Sequence, residues 1–142
     1  MEKELVLKTF VSIDASTAKV WDALINPEQI KKYFFGTEAI SDWKVGSTLI
    51  FKGIWEGKEY RDKGHILELE KEKKLKYNYW SSFAGTEDIL ENYANITYEL
   101  SEQCVKTIFT VTQDGFKTKE QHEHSKKNWQ SLFVNLKALL EE

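Results

Sequence analysis

The closing segment KNWQSLFVNLKALLEE is the feature that most constrains how this chain folds. Its apolar residues recur at spacings of three and four, so they share one face of a helix, while Lys, Gln, Asn and Glu occupy the other. The apolar face consists of Trp129, Leu132, Phe133, Leu136, Leu139 and Leu140. A helix with such a face needs an apolar surface to cover, and the rest of the chain must supply it.

The chain opens with a strand followed by two short helices. The segment from Leu5 to Ile13 is rich in β-branched and aromatic residues, which is typical of a strand. Ser16 is placed to cap a first helix, and Asn26, followed by Pro27, is placed to cap a second. Near the other end, Thr118 with Gln121 forms a capping-box signal for the closing helix.

Strand patterns dominate the middle of the chain. TLIFKGIW, EYRDKGHILELE, KLKYNYW, ANITYEL and CVKTIFTVTQ are separated by turns, and one further short strand is expected between Gly36 and Gly46. The alternation predicts an inward face made of Leu49, Phe51, Trp55, Leu75, Tyr77, Tyr79, Ile96, Tyr98, Leu100, Val105, Thr107, Phe109 and Val111. The order predicts a single α+β domain spanning residues 1–142, in which a curved antiparallel sheet of about six strands wraps around the long C-terminal helix.

Charge and cysteine content narrow the functional classes. The net charge is −3 and the basic residues are interspersed with acids, so no basic stripe for nucleic acid is present. No segment approaches the length of apolar sequence that spans a membrane, and the N-terminus lacks a signal-peptide pattern. The lone Cys104 is typical of a reducing compartment, which predicts a cytoplasmic protein.

Aromatic residues make up 13% of the chain and give the main functional clue. The inward faces of sheet and helix predict a ligand cavity lined by Phe51, Trp55, Tyr77, Tyr79, Tyr98, Phe109, Trp129 and Phe133. The phenols of Tyr77, Tyr79 and Tyr98 need hydrogen-bond partners, and they suit the orientation of a polar group on a mostly apolar ligand. The alternative is that the same rings simply fill the core.

Other chemistry-bearing residues give weaker signals. His122 and His124 lie two positions apart on a helix and point in different directions, so no metal site or cofactor is predicted. His122 also marks where the apolar stripe of the closing helix becomes polar, which indicates either an overhang or the polar mouth of a cavity. Three acids in one long connection are expected to be a solvated face and no catalytic residue is predicted; they are Glu87, Asp88 and Glu91.

Five segments in this order resemble the START-like, helix-grip superfamily. Within it, the family related to the C-terminal domain of the activator of Hsp90 ATPase is the most similar. The resemblance is carried by VWDALINPEQIKKYF, DWKVGS, GHILELEKEKKLKYNYW, ITYELSEQCVKTIFTVTQDGF and NWQSLFVNLKALLE. Asn128 and Ser47 depart from it, since glycine is common at both positions. The resemblance implies a cavity between the curved sheet and the long helix, often used for an apolar small molecule.

Three functions follow from these observations. The first is non-enzymatic binding of a hydrophobic or aromatic small molecule in that cavity. The second is an interaction module, with a chaperone or a second copy of the chain as partner, which needs an exposed apolar patch such as Phe34, Phe35, Trp43 and Trp80. The third is a polyketide cyclase-like enzyme. It needs an ionisable residue inside the cavity, and the assigned inward positions offer none.

Overall fold

The computed structural model describes residues 5–34, 36–80, 87, 89, 92–116 and 118–141, without the side chains of Leu5 and Trp55. The strands are β1 (Leu5–Ile13), β2 (Glu38–Ser41), β3 (Thr48–Trp55), β4 (Lys58–Glu70), β5 (Lys74–Tyr79), β6 (Ala94–Gln103) and β7 (Lys106–Phe116). The helices are α1 (Thr17–Ile25), α2 (Pro27–Tyr33) and α3 (Lys119–Leu140).

The strands form one antiparallel sheet in the order β1-β7-β6-β5-β4-β3-β2. The first strand therefore pairs with the last, and the other neighbouring strands follow one another along the chain. With two short helices after β1 and the long α3 at the end, this is the predicted α+β helix-grip fold. The short strand expected between Gly36 and Gly46 is β2, which forms one edge of the sheet.

The predicted helix starts are confirmed by their capping hydrogen bonds. The side chain of Ser16 accepts from the backbone N–H of Lys19, and that of Asn26 accepts from the N–H of Glu28. Thr118 accepts from the N–H of Gln121 at the start of α3. Each bond satisfies a backbone donor that the first turn of a helix leaves without an intrahelical partner.

The long helix α3 covers the inner face of the sheet as its sequence pattern predicts. Its fully covered side chains are Trp129, Leu132, Phe133, Leu136 and Leu140, whereas Leu139 is half-buried. Two lysines fix its C-terminal end. The ammonium of Lys19 donates to the carbonyl of Leu140 at 2.9 Å, and that of Lys137 donates to the carbonyl of Ser12 at 2.9 Å. The position of α3 over the sheet is thereby set at its last turn.

One sequence-based expectation about the end of a strand is wrong. Val105 is 79% exposed, because it lies with Cys104 in the tight turn between β6 and β7 rather than inside the sheet. The inner face of β7 instead begins at Thr107. At the start of α3, His122 is half-buried, whereas Lys119, Glu120, Gln121 and Glu123 around it are exposed. Its Nε2 lies 3.1 Å from the carbonyl oxygen of Val6, and its ring packs edge-on against Phe116.

Candidate functional site

A continuous set of aromatic rings lies between the inner face of the sheet and α3. We call it the aromatic row. Its members are Phe34, Phe51, Tyr77, Tyr79, Tyr98, Phe109, Trp129 and Phe133. Seven of them were predicted as cavity residues, and the structure brings these seven together. The eighth predicted residue, Trp55, has its side chain outside the described residues. Phe34 joins the row from the end of α2.

Tyr98 is the centre of the inner half of the row. Its ring centroid lies 5.4 Å from that of Tyr77, 5.2 Å from that of Phe109 and 5.9 Å from that of Trp129. All three pairs are edge-on, with interplanar angles of 83° to 86°. Edge-on contacts place the positive edge of one ring against the negative face of another, so they are favourable as well as space-filling.

Phe51 is the centre of the outer half of the row. Its ring stacks nearly parallel on Phe34, with centroids 5.7 Å apart and an interplanar angle of 12°. It also contacts Tyr77 at 6.1 Å and Tyr79 at 6.2 Å. Phe109 at the inner end of the row is fully buried, whereas Phe34 and Tyr79 are half-buried. The row therefore approaches solvent at the Phe34–Tyr79 end.

The polar groups of the inner half are paired with each other. The hydroxyl oxygens of Tyr77 and Tyr98 lie 2.7 Å apart, and the indole N–H of Trp129 donates to Oε1 of Gln113 at 2.8 Å. The hydroxyl of Tyr33, beneath α1, donates to the carbonyl of Ala23 at 2.9 Å. Burial raises the pKa of all three phenols, because the charged phenolate loses its hydration inside the core. These phenols are therefore neutral hydrogen-bonding groups at physiological pH.

The outer half contains a buried carboxylate that the sequence analysis missed. Asp62 on β4 is 7% exposed and lies directly across from Phe51 on β3. The hydroxyl of Tyr79 donates a hydrogen bond to its Oδ2. The expectation that no ionisable residue occupies the inward positions is therefore wrong. The two-residue alternation along β4 is the sequence signal for its inward position. Asp62 shares its strand face with Gly64 and Ile66, which are both buried.

A second phenol shares the inner face of β4 with this carboxylate. Tyr60 is half-buried, and its hydroxyl forms a hydrogen bond with Oγ1 of the fully buried Thr37. Its ring lies over Gly53, where an added Cβ would stand only 2.6 Å from the phenolic oxygen. Gly53 thus leaves room for Tyr60 to lie across β3. The outer end of the inner face presents a carboxylate and two phenols on an otherwise aromatic surface.

Two surface depressions are lined by residues outside the aromatic row. One, of about 580 Å³, lies between α1 and the β4–β5 turn, and its lining is Ala18, Trp21, Asp22, Ile25, Leu69, Lys71 and Glu72. The other, of about 530 Å³, lies on the outer face of the sheet and is lined by Lys8, Glu70, Lys73, Lys74, Glu99, Leu100, Ser101 and Thr110. Within the row itself, the rings are in contact with their neighbours. The centroids of neighbouring rings in the described row lie 5.2 to 6.4 Å apart.

The remaining sequence candidates do not converge on a site. Glu87 is exposed, and Asp88 and Glu91 lie outside the described residues. Among the side chains that the structure describes, no three His, Cys, Asp or Glu residues are grouped so as to hold a metal ion. None of the helices in the described ranges combines the length and the hydropathy needed to cross a membrane.

The three described residues of the proposed interaction patch are half-buried. Phe34 stacks on Phe51, Trp43 packs against the core, and Trp80 is half-buried. The fourth member, Phe35, lies outside the described residues. Among the described residues, the large apolar side chains that are well exposed belong to other surfaces, for example Phe10 on the outer face of β1, which is 67% exposed.

Comparison with known proteins places this architecture in context. Residues 14–141 match the family described as Activator of Hsp90 ATPase homolog 1-like protein. The solution structure of ChR145 from Cytophaga hutchinsonii is 41% identical, with a TM-score of 0.86, and the match covers 99% of this chain and 97% of that one. Comparison with curated proteins gave no match.

More distant structures share the fold. The Aha1 dimer from Colwellia psychrerythraea is 20% identical with a TM-score of 0.77, and the match covers 96% of each chain. CalU16 from Micromonospora echinospora is 18% identical with a TM-score of 0.74, over 94% of this chain and 73% of that one. At these identities the similarity is one of architecture, and the fold hosts more than one activity.

Proposed function

This chain belongs to the family of Activator of Hsp90 ATPase homolog 1-like proteins, and we propose that it binds an apolar, aromatic small molecule between the sheet and α3. The observation that carries the proposal is the aromatic row, which runs from the fully buried Phe109 to the half-buried Phe34 and Tyr79. Sites for small molecules are mostly apolar and aromatic, with a few polar groups that fix orientation. The row has this composition.

Entry is proposed at the Phe34 end. Phe34 follows the last residue of the seven-residue helix α2, and its ring lies nearly parallel to Phe51. The other ring contacts that the structure describes within the row have interplanar angles of at least 39°. A planar ligand that displaces the Phe34 ring regains the parallel stack on Phe51, so the exchange costs little in ring contacts.

The test compares the same substitution on the two faces of the sheet. Phe34→Ala removes the ring that the ligand must displace, whereas Phe10→Ala removes an exposed ring from the outer face. Naphthalene, 2-naphthol, 2-naphthoate and palmitate are titrated into the wild-type chain and both variants, and binding is followed by calorimetry and by the shift in Tm. A preformed apolar gap binds aromatic molecules of matching size.

The expected result is saturable binding of a naphthalene-type compound, tightened at least about tenfold by Phe34→Ala and unchanged by Phe10→Ala. The tenfold difference in affinity corresponds to the free energy that it costs to displace the Phe34 ring in the wild-type chain. Absence of saturable binding by all four compounds, in both the wild-type chain and Phe34→Ala, overturns the proposal. Binding that is lost with Phe10→Ala and unaffected by Phe34→Ala also overturns it, because the ligand then lies on the outer face.

A further inference from the structure

The depression between α1 and the β4–β5 turn has an apolar floor. Its volume is about 580 Å³, which lies within the range of small-molecule sites. Trp21 is 5% exposed, and Ile25 and Leu69 are half-buried, so these three side chains form the floor. All three belong to the hydrophobic core or pack against it. An apolar group that enters the depression therefore extends the core toward solvent.

Trp21 brings a hydrogen-bond donor into this floor. Its indole N–H has no acceptor in the described part of the chain, although every buried polar side-chain atom there has a partner. The N–H therefore reaches solvent, and the depression is an opening that Trp21 lines. Because the side chain is otherwise buried, little water can surround this donor, and an acceptor atom on a ligand satisfies it directly.

Three charged side chains surround the floor. Asp22 and Glu72 bring carboxylates and Lys71 brings an ammonium, and none of them takes part in an ion pair within the described ranges. Nδ2 of Asn26 lies 3.5 Å from each oxygen of Asp22, which is a long contact. The last turn of α1 contains Asp22 and no basic residue, so the partial negative charge of the helix end adds to that of the carboxylate.

We propose that this depression binds a free α-amino acid with an apolar side chain. The side chain lies on the floor, the α-carboxylate accepts from the indole N–H of Trp21 and pairs with Lys71, and the α-ammonium pairs with Asp22. A purely anionic ligand is repelled by the two carboxylates of the rim. A purely cationic ligand leaves the indole N–H and the lysine without a partner. The site is separate from the aromatic row, so this inference does not depend on the proposed function.

The experiment divides the ligand into its two charged groups. L-Phenylalanine is titrated at neutral pH into the wild-type chain beside phenethylamine, which lacks the carboxylate, and 3-phenylpropionate, which lacks the ammonium. Binding is followed by calorimetry and by the NMR signals of the indole N–H groups. The chain has five tryptophans, and the signal that is missing from Trp21→Phe identifies Trp21.

Two pairs of variants locate the site. Ala18→Trp fills the depression from its exposed edge, and Ala138→Trp places the same ring on the exposed surface of α3. Asp22→Asn removes one carboxylate of the rim, and Asp42→Asn removes an exposed carboxylate elsewhere. The second member of each pair controls for the added bulk or for the change in net charge.

We expect saturable binding of phenylalanine, at least about threefold tighter than that of either analogue, because each analogue lacks one charged contact near the surface. The indole signal of Trp21 should shift on binding. Ala18→Trp should abolish binding, and Asp22→Asn should reduce the preference for phenylalanine over 3-phenylpropionate at least about twofold. Ala138→Trp and Asp42→Asn should leave the affinities unchanged.

The outcomes that overturn the proposal are distinct from those that overturn the proposed function. Absence of saturable phenylalanine binding to the wild-type chain overturns it, as does binding that Ala18→Trp leaves intact. An analogue that binds as tightly as phenylalanine overturns the assignment of an amino acid. Phe34→Ala should not affect phenylalanine, and tighter binding to that variant would place the ligand in the aromatic row instead. Failure of the naphthalene compounds alone affects only the proposed function.

Discussion

The hydroxyl oxygens of Tyr77 and Tyr98 lie 2.7 Å apart across neighbouring strands, inside the core of the protein. Each phenol is the polar partner of the other, and both rings are almost fully buried. The pair allows two polar groups to occupy an aromatic interior without an unpaired donor. If one hydroxyl were removed, the other would be buried against a hydrocarbon ring without its hydrogen-bond partner.

Removing both of these hydroxyls should cost less than the sum of the costs of removing each one alone. Tyr77→Phe and Tyr98→Phe each leave the partner hydroxyl without its hydrogen bond, which is expected to lower the free energy of unfolding by about 1–3 kcal/mol. The double variant should lose less than the sum of the two, with a coupling of roughly 0.5–3 kcal/mol. Urea unfolding of the four proteins measures this cycle. Strictly additive losses would show that the hydroxyls are not partners.

Stability should fall at high pH because of the buried phenols. Burial raises the pKa of Tyr33, Tyr77 and Tyr98 above the ordinary value of 10.0, so the folded chain holds these protons more tightly than the unfolded chain does. Below about pH 10 both states keep the protons and stability is independent of these groups. As the pH rises further, the unfolded state releases them first, and each phenol lowers the free energy of unfolding by up to about 1.4 kcal/mol per pH unit.

Tyr77→Phe/Tyr98→Phe provides the control for this pH dependence. Two of these three buried phenols are absent from it, so its loss of stability between pH 10 and 12 should be less steep than in the wild-type chain. Unfolding in urea at a series of pH values measures both slopes. Equal slopes would mean that Tyr77 and Tyr98 ionise as easily in the folded chain as in the unfolded one.

Truncation of Trp129 should be strongly destabilising. The indole lies between α3 and the sheet, 8% exposed, with edge-on contact to Tyr98 and a hydrogen bond to Gln113. Trp129→Ala leaves a void and an unpaired amide, for an expected loss of about 3–5 kcal/mol in the free energy of unfolding. The exposed neighbour Asn128 is the control, and Asn128→Ala should change stability by no more than about 0.5 kcal/mol. Similar Tm values for the two variants would contradict this position of the helix.

Gly64 is needed because β4 and β5 approach each other closely there. A Cβ added at Gly64 would stand 1.7 Å from the backbone oxygen of Asn78, a position that no side-chain movement relieves. We expect Gly64→Ala to cost about 3 kcal/mol. Gly46 is the comparison, since it has a positive φ of 90° and open space where its Cβ would be. Gly46→Ala should cost only the backbone strain of about 1–2 kcal/mol. Equal melting temperatures of Gly64→Ala and Gly46→Ala would show that β4 and β5 can move apart at Gly64 without a loss of stability.

The strand and helix patterns could be interpreted reliably because their causes are local. The 3.6-residue period assigned the buried face of α3, and the two-residue period assigned Tyr77, Tyr98 and Phe109 to the inner face. The capping positions Ser16 and Thr118 were likewise predictable, because a cap acts within three residues along the chain. The family resemblance then added the arrangement of these elements, which no periodicity specifies.

The pairing of Asp62 with Tyr79 has no such local cause, because it depends on the register between β4 and β5. These residues are 17 positions apart, and they meet because β4 and β5 are aligned by the bridge between Lys63 and Trp80. Further along, the same strand pair shifts register between Ile66 and Glu68. A one-residue change in alignment would send every side chain to the other face, so small features of turns and bulges decide which groups meet.

The sequence by itself determined which faces are apolar, where the helices begin and that α3 must cover a sheet. Only the tertiary structure decided that Phe34 stacks on Phe51 and that Gln113 accepts from Trp129. It also decided that the carboxylate of Asp62 accepts from Tyr79 of the aromatic row. The physical reason is the range of the forces involved. Hydrophobic burial is non-directional and is encoded by composition and period, whereas ring stacking and hydrogen bonds depend on distances and angles that exist only after distant segments have packed together.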